Sequence, residues 1–152
     1  MKILLLFVVL LSHSAYAQNC LDKRKRNIPV QNEQVLEWKK NSRNQTKYRT
    51  HVLGSLNRVY PDRNTHNHFA IQIGPNRSDT LEVVYNNEFG KLPKLKMGDE
   101  VEACGDYITS KKASRYPASP DGAIIHWVHV ANRSDHLDGF LMINDVVYGN
   151  KP

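Results

Sequence analysis

The chain has 152 residues and a formal net charge of +6, a length that suits one domain built around one core. Its only two cysteines, Cys20 and Cys104, stand too far apart to form a zinc motif, and no run beyond the first seventeen residues is apolar enough to cross a bilayer. The positive balance favours anionic polymers or membrane surfaces as partners but carries no specificity.

Lys2, the apolar run from Ile3 to Leu11 and the Ala15-Tyr16-Ala17 end form a secretory leader over 1–17, with cleavage expected after Ala17. Removing Lys2 leaves 20 basic against 15 acidic residues, a net charge of +5. Export to the periplasm or outside the cell places the cysteines in an oxidising compartment. A Cys20–Cys104 disulfide is then the preferred reading, with free or intermolecular thiols as the alternative. Such a bridge would contribute on the order of 4–5 kcal/mol through chain entropy.

Residues 18–30 carry Lys23-Arg24-Lys25-Arg26, four cations that repel one another and will not nucleate a helix. They read as a solvated basic arm, with phosphate or anionic lipid as the functional alternative. A short helix follows, with Asn32 as its cap and Val35, Leu36 and Trp38 on one apolar face. From Lys47 the period switches to two, giving a long first strand with a bend at Gly54. In the second strand Phe69 and Ile71 share one face while His66, His68 and Gln72 share the other.

Residues 80–86 form a third strand and lead into a loop bearing Lys91 and Lys94. In the fourth strand Val101, Ala103 and Tyr107 share a face, which turns Cys104 away from the barrel core. A loop with Lys111, Lys112 and Arg115 precedes a fifth strand expected over 123–130. Asn144-Asp145 is a hairpin turn pair between Phe140-Leu141-Met142-Ile143 and Val146-Val147-Tyr148. The pattern predicts a mainly β fold: a small OB-fold-like five-stranded barrel with one N-terminal helix and a C-terminal hairpin, spanning 31–152 as a single domain.

Five blocks carry a family resemblance: Pro61-Asp62 with His66 and Phe69; Asn86; Gly98-Asp99-x-Val101 with Gly105-x-Tyr107; Gly122-x-x-Ile125-His126-Trp127-x-His129; and His136-x-Asp138-Gly139 with Tyr148. In their order and spacing residues 61–148 resemble a small bacterial family named only as a domain of unknown function, DUF3465. The resemblance implies an OB-like barrel, exported in many members, and brings no activity with it. Tyr85 and Val130 stand where that pattern tends to have histidines, and Thr109 and Phe140 where it has tryptophans.

Imidazole serves both metal binding and proton transfer near neutral pH. His66, His126, His129 and His136 are therefore the catalytic candidates, and His66, His68, His126 and His136 a candidate metal set suited to zinc or copper. Strand alternation puts His126 and His129 on opposite faces unless a bulge intervenes. No phosphate loop, nucleophile elbow or Ser/His/Asp order is present, so whether the protein is an enzyme stays open. The preferred expectation is an exported binding module, taken as a monomer and not as an integral membrane protein. It would hold nucleic acid, anionic glycan or phosphorylated lipid on a platform of Trp127 and Tyr107 edged by Lys91, Lys94, Lys111, Lys112 and Arg115. The alternative is a histidine-centred metal protein or a hydrolase- or nuclease-like enzyme.

Overall fold

A computed structural model describes residues 18–115 and 117–150, so the expected leader lies outside the described residues. The elements are α1 Asn32–Asn41, β1 Lys47–Val59, β2 His66–Gln72, β3 Thr80–Asn86, a 3-10 turn at Asn87–Phe89, β4 Glu100–Thr109, β5 Ala123–His126, β6 Phe140–Ile143 and β7 Val146–Tyr148. β1–β2, β2–β3, β4–β5 and β1–β4 pair antiparallel, whereas β3 and β5 pair parallel. The order β1-β2-β3-β5-β4 therefore closes on itself, the topology of the OB barrel. The fold expected from the period-two pattern is the fold observed.

Closure depends on the length of β1. It pairs with β4 from Lys47 to Ser55 and with β2 from Ser55 to Val59. The bend expected at Gly54 falls beside this handover, while the register slips between Leu56 and Arg58. Alternate residues fill the barrel, among them Val52, Phe69, Ile71, Val83, Tyr85, Tyr107 and Ile125, all without exposed surface. Burying each side chain contributes roughly 1.5–3 kcal/mol, so this interior is the main stabilising element.

α1 closes one side with Val35, Leu36 and Trp38 against the core. Trp38 stacks on Tyr48 with centroids 4.3 Å apart and lies 5.6 Å from Tyr107. Asn32 does not cap the helix. Gln31 holds the cap position, and Asn32 exchanges two hydrogen bonds with Leu53 of β1, donating to its carbonyl at 2.6 Å and accepting from its amide at 3.1 Å. A side chain that could cap instead pins the helix to the sheet.

The disulfide Cys20–Cys104 is formed. Cys104 faces away from the barrel interior, as alternation requires, into a satellite cluster with Cys20, Phe140 and Ile28. Gln31 fixes the rest of the arm by donating its amide to the His51 carbonyl and its side chain to Thr50, both at 3.0 Å. The basic segment is exposed, as expected of a solvated arm, and forms a tight turn closed by a Leu21–Asn27 bridge. No helix among the described residues is long and apolar enough to cross a membrane.

Candidate functional site

β5 is shorter than the strand expected over 123–130. It stops at His126, because Trp127 takes a left-handed backbone with φ of 53°. The chain leaves the barrel for residues 127–139 and returns as β6 on the same side of β4. Asp106 pairs with His126 and Cys104 with Phe140, so β5 and β6 are one strand line interrupted by a loop. Two glycines let the loop close. A Cβ on Gly105 would strike the His126 carbonyl, and one on Gly139 the carbonyls of Trp127 and Cys104.

Further hydrogen bonds hold the loop in place. Gly139 donates to the His129 carbonyl and Val130 to that of Gly149, each at 2.7 Å, while Asp138 accepts the Ala131 amide at 2.8 Å. Arg49 donates to the Asp138 carbonyl and reaches Asp106 at 3.4 Å and Cys104 Sγ at 3.1 Å. Compact loops tied to a rigid scaffold are common places for function.

The loop delivers a row of rings to the outer wall. His66, at the start of β2, meets His126 edge-on with centroids 5.7 Å apart. His126 stacks on Trp127 at 4.5 Å, and Trp127 stacks on His136 at 4.6 Å. The Lys47 ammonium lies 5.2 Å from the Trp127 ring, a cation–π contact. His129, turned inward by the kink, stacks on Phe89 at 3.6 Å.

Backbone strain concentrates at the His66–His126 contact. Among the described residues, seven that are not glycine have positive φ, and only Thr65 and Trp127 of these are β-branched or aromatic. Thr65 immediately precedes His66, and Trp127 immediately follows His126. Such residues cost roughly 1–3 kcal/mol each and collect at sites where the strain is used.

Three histidines of this wall have their ring orientation fixed by oxygen acceptors on Nδ1, as His51 does elsewhere through Ile28. His66 donates to the Asn64 carbonyl, His68 to the Glu82 carboxylate and His129 to the Val130 carbonyl, each at 2.7 Å. With Nδ1 donating, Nε2 is the ring nitrogen left to act as a ligand, the arrangement that second-shell partners impose on metal-binding histidines. Glu82 is 2% exposed and also faces the Arg63 guanidinium at 3.7 Å.

The His126 ring has no hydrogen-bond partner among the described residues. Burial drives its imidazole down to about 3, and repulsion from His66, His129, His136 and His68 acts in the same direction. Burial likewise lowers His129, against the pull of the Val130 carbonyl. At neutral pH His126 is an uncharged ring, too weak a base for proton transfer there but a competent nitrogen ligand. Even so, no three His, Cys, Asp or Glu side chains among the described residues are placed to hold one metal ion.

The predicted residues thus separate. His66, His68, His126 and His129 gather on one part of the wall, the kink having removed the alternation that divided His126 from His129. His136 stands on the far side of Trp127, with Nε2 3.5 Å from Asp135, and still acts electrostatically on His126 and His129. The lysine-edged platform is not assembled. Tyr107 lies wholly inside the barrel and accepts a hydrogen bond from Thr109, because its alternation phase is that of the core. Trp127 spends its ring surface on His126, His136 and Lys47.

Lys111 caps α1 through the carbonyls of Lys40 and Ser42, and the Lys112 amide binds Asn44. Lys91, Lys94 and Arg115 are exposed on their loops. Glu82, Arg63, Lys47 and Phe89 belong to the site and escaped sequence reasoning. Only Glu82 carried a signal, as a lone charge in an otherwise apolar strand.

Comparison with curated proteins returned no match. A family model described as "Protein of unknown function (DUF3465)" matches residues 25–149, a span that takes in α1 and part of the basic turn as well as the five blocks. The chain belongs to the DUF3465 family.

Proposed function

We propose that the protein is exported behind a leader at residues 1–17 and binds a d-block cation, copper or zinc, at the histidine corner. His66 and His126 supply two imidazole nitrogens, His68 and His129 flank them, and water completes the coordination. The observation that carries this reading is the anchoring of His66, His68 and His129 through Nδ1 around an uncharged His126. Acceptor lone pairs gathered on a strained backbone suit a cation and do not suit an anion. The disulfide is consistent with export into an oxidising compartment.

A two-imidazole site is open and of modest affinity, so the ion would be exchangeable rather than structural. The test is calorimetric titration of chelator-stripped protein with Zn²⁺ and with Cu²⁺, alongside elemental analysis of the protein as purified. One equivalent should bind. His66→Ala and His126→Ala should each weaken binding by about a hundredfold or more, whereas His136→Ala should bind like wild type. Absence of binding, or full binding by His126→Ala, would rule the reading out.

A further inference from the structure

The run Lys23-Arg24-Lys25-Arg26 is not left loose. Asp22 organises it, accepting the amides of Arg24 at 2.8 Å and Arg26 at 2.9 Å on Oδ1 and the Arg26 guanidinium at 2.8 Å on Oδ2. The Lys25 amide returns to the Asp22 carbonyl at 2.9 Å, and Lys25 adopts φ of 59° to close the turn. At its base the Leu21–Asn27 bridge and a 2.7 Å bond from the Ile28 amide to the Cys20 carbonyl join the turn to the disulfide. Arg49 adds a bond to the Leu21 carbonyl at 3.3 Å.

One carboxylate thus neutralises Arg26 and shapes the turn. Lys23, Arg24 and Lys25 are exposed, with no ion pair to any described residue. Like charges held on a rigid turn repel, and that cost is recovered when an anionic surface meets them. The turn contains no aromatic side chain on which a nucleobase could stack. It does carry an apolar shoulder, Leu21, 37% exposed at its base, with Val30 at 43% further along the arm. Cations beside apolar groups suit the headgroup region of a bilayer.

We infer that this disulfide-anchored turn docks the protein on an anionic lipid surface, with Lys23, Arg24 and Lys25 against the headgroup phosphates. The surface is separate from the histidine corner, and the inference does not depend on metal binding. Each cation near such a surface is worth about fivefold in affinity, so three together contribute on the order of a hundredfold.

The test is sedimentation with vesicles of phosphatidylcholine alone and with 30% phosphatidylglycerol, at low and high salt. Residues 18–152 are used, which carry the whole described fold, so that the apolar leader cannot itself insert. Wild type should bind the anionic vesicles selectively and release as salt rises. Lys23→Gln/Arg24→Gln/Lys25→Gln should lose about a hundredfold while keeping its disulfide and thermal midpoint. Lys91→Gln/Lys94→Gln, which alters a different basic loop, should bind as wild type does. Equal binding to both vesicle types, retention by the triple variant, or tighter binding to single-stranded DNA than to anionic vesicles at matched salt would each overturn the inference.

Discussion

Tyr60, just past the end of β1, donates its hydroxyl to Asp121 across 2.8 Å and so joins the loop before β2 to the loop before β5. Thr80, at the start of β3, gives its hydroxyl to the other oxygen of the same carboxylate at 2.6 Å. These two loops flank the face of β2 and β3 that OB barrels use for ligands. One carboxylate therefore fastens the rim of the wall that carries His66 and His68.

That bond makes alkaline stability a measurable property of the latch. Burial pushes the Tyr60 phenol up to about 12, and the hydrogen bond and charge of Asp121 push the same way. The folded protein thus keeps a proton that the unfolded chain releases near 10. The contribution is fully present below pH 10 and is lost as pH rises toward 12. With partial solvent access it amounts to roughly 1–2 kcal/mol. Urea unfolding of wild type should weaken more steeply between pH 10 and 12 than that of Tyr60→Phe, which should also be about 1 kcal/mol less stable at neutral pH. Parallel pH profiles for the two proteins would mean the latch does not titrate with folding.

Strand alternation was enough to place Cys104 outside the barrel, Tyr107 and Phe69 within it, and His66 and His68 together on its wall. Those are local consequences of period two. The kink at Trp127 was not legible, because Ile124 to Val130 is rich in β-branched and aromatic residues and nothing in it forbids a strand. What ends β5 is tertiary: the loop packs on Gly105 of β4 and brings Gly139 onto the carbonyls of Trp127 and Cys104. The same gap explains the lysine-edged platform. Composition shows that lysines are present, but only the fold shows that Lys111 is committed to the end of α1. Asn32 is a similar case, since its capping chemistry competes with a β1 partner that local sequence cannot reveal.

Arg49 should act as the fastener of the 127–139 loop. Its guanidinium holds the Asp138 and Leu21 carbonyls, Asp106 and Cys104 Sγ, with only 12% of the side chain exposed. Arg49→Met keeps the buried stem and removes every one of these bonds. It should cost about 2–3 kcal/mol in chemical denaturation. Amide exchange should rise selectively at Ala131 and Gly139, whose bonds depend on the loop being closed. Arg49→Lys should recover little, because an ammonium cannot fork to four partners. Exchange rates that stay unchanged across residues 127–139 would show that the loop is held by its own contacts.

The disulfide should stabilise the arm without being required for the barrel. Neither cysteine belongs to the main core; both sit in the satellite cluster with Phe140. The bridge closes a sequence separation of 84, and its loss should cost about 4–5 kcal/mol, mostly through the unfolded chain. Cys20→Ser/Cys104→Ser should therefore keep its far-ultraviolet spectrum and a cooperative transition at lower urea. Protease sensitivity should appear first at Lys23–Arg26. Loss of cooperative folding would instead make the bridge a condition for assembling the barrel.

Gly139 should be the least replaceable glycine of the site. Its φ does not fall in the left-handed region, so the constraint is purely one of space. An added Cβ meets the carbonyls of Trp127 and Cys104 and comes within 3.1 Å of the His129 amide nitrogen, all of them backbone atoms that cannot swing aside. Gly98 gives the opposite comparison. It has φ of 87° with nothing within 4 Å of an added methyl, so alanine there meets conformational strain alone. Gly98→Ala should cost about 1 kcal/mol, whereas Gly139→Ala should cost more than about 2 kcal/mol. The second change should also shift tryptophan fluorescence, because the loop that carries Trp127 onto His126 can no longer close. Equal stability losses for the two variants, with unchanged fluorescence, would show that the barrel tolerates an open loop and that the histidine corner is not built by its closure.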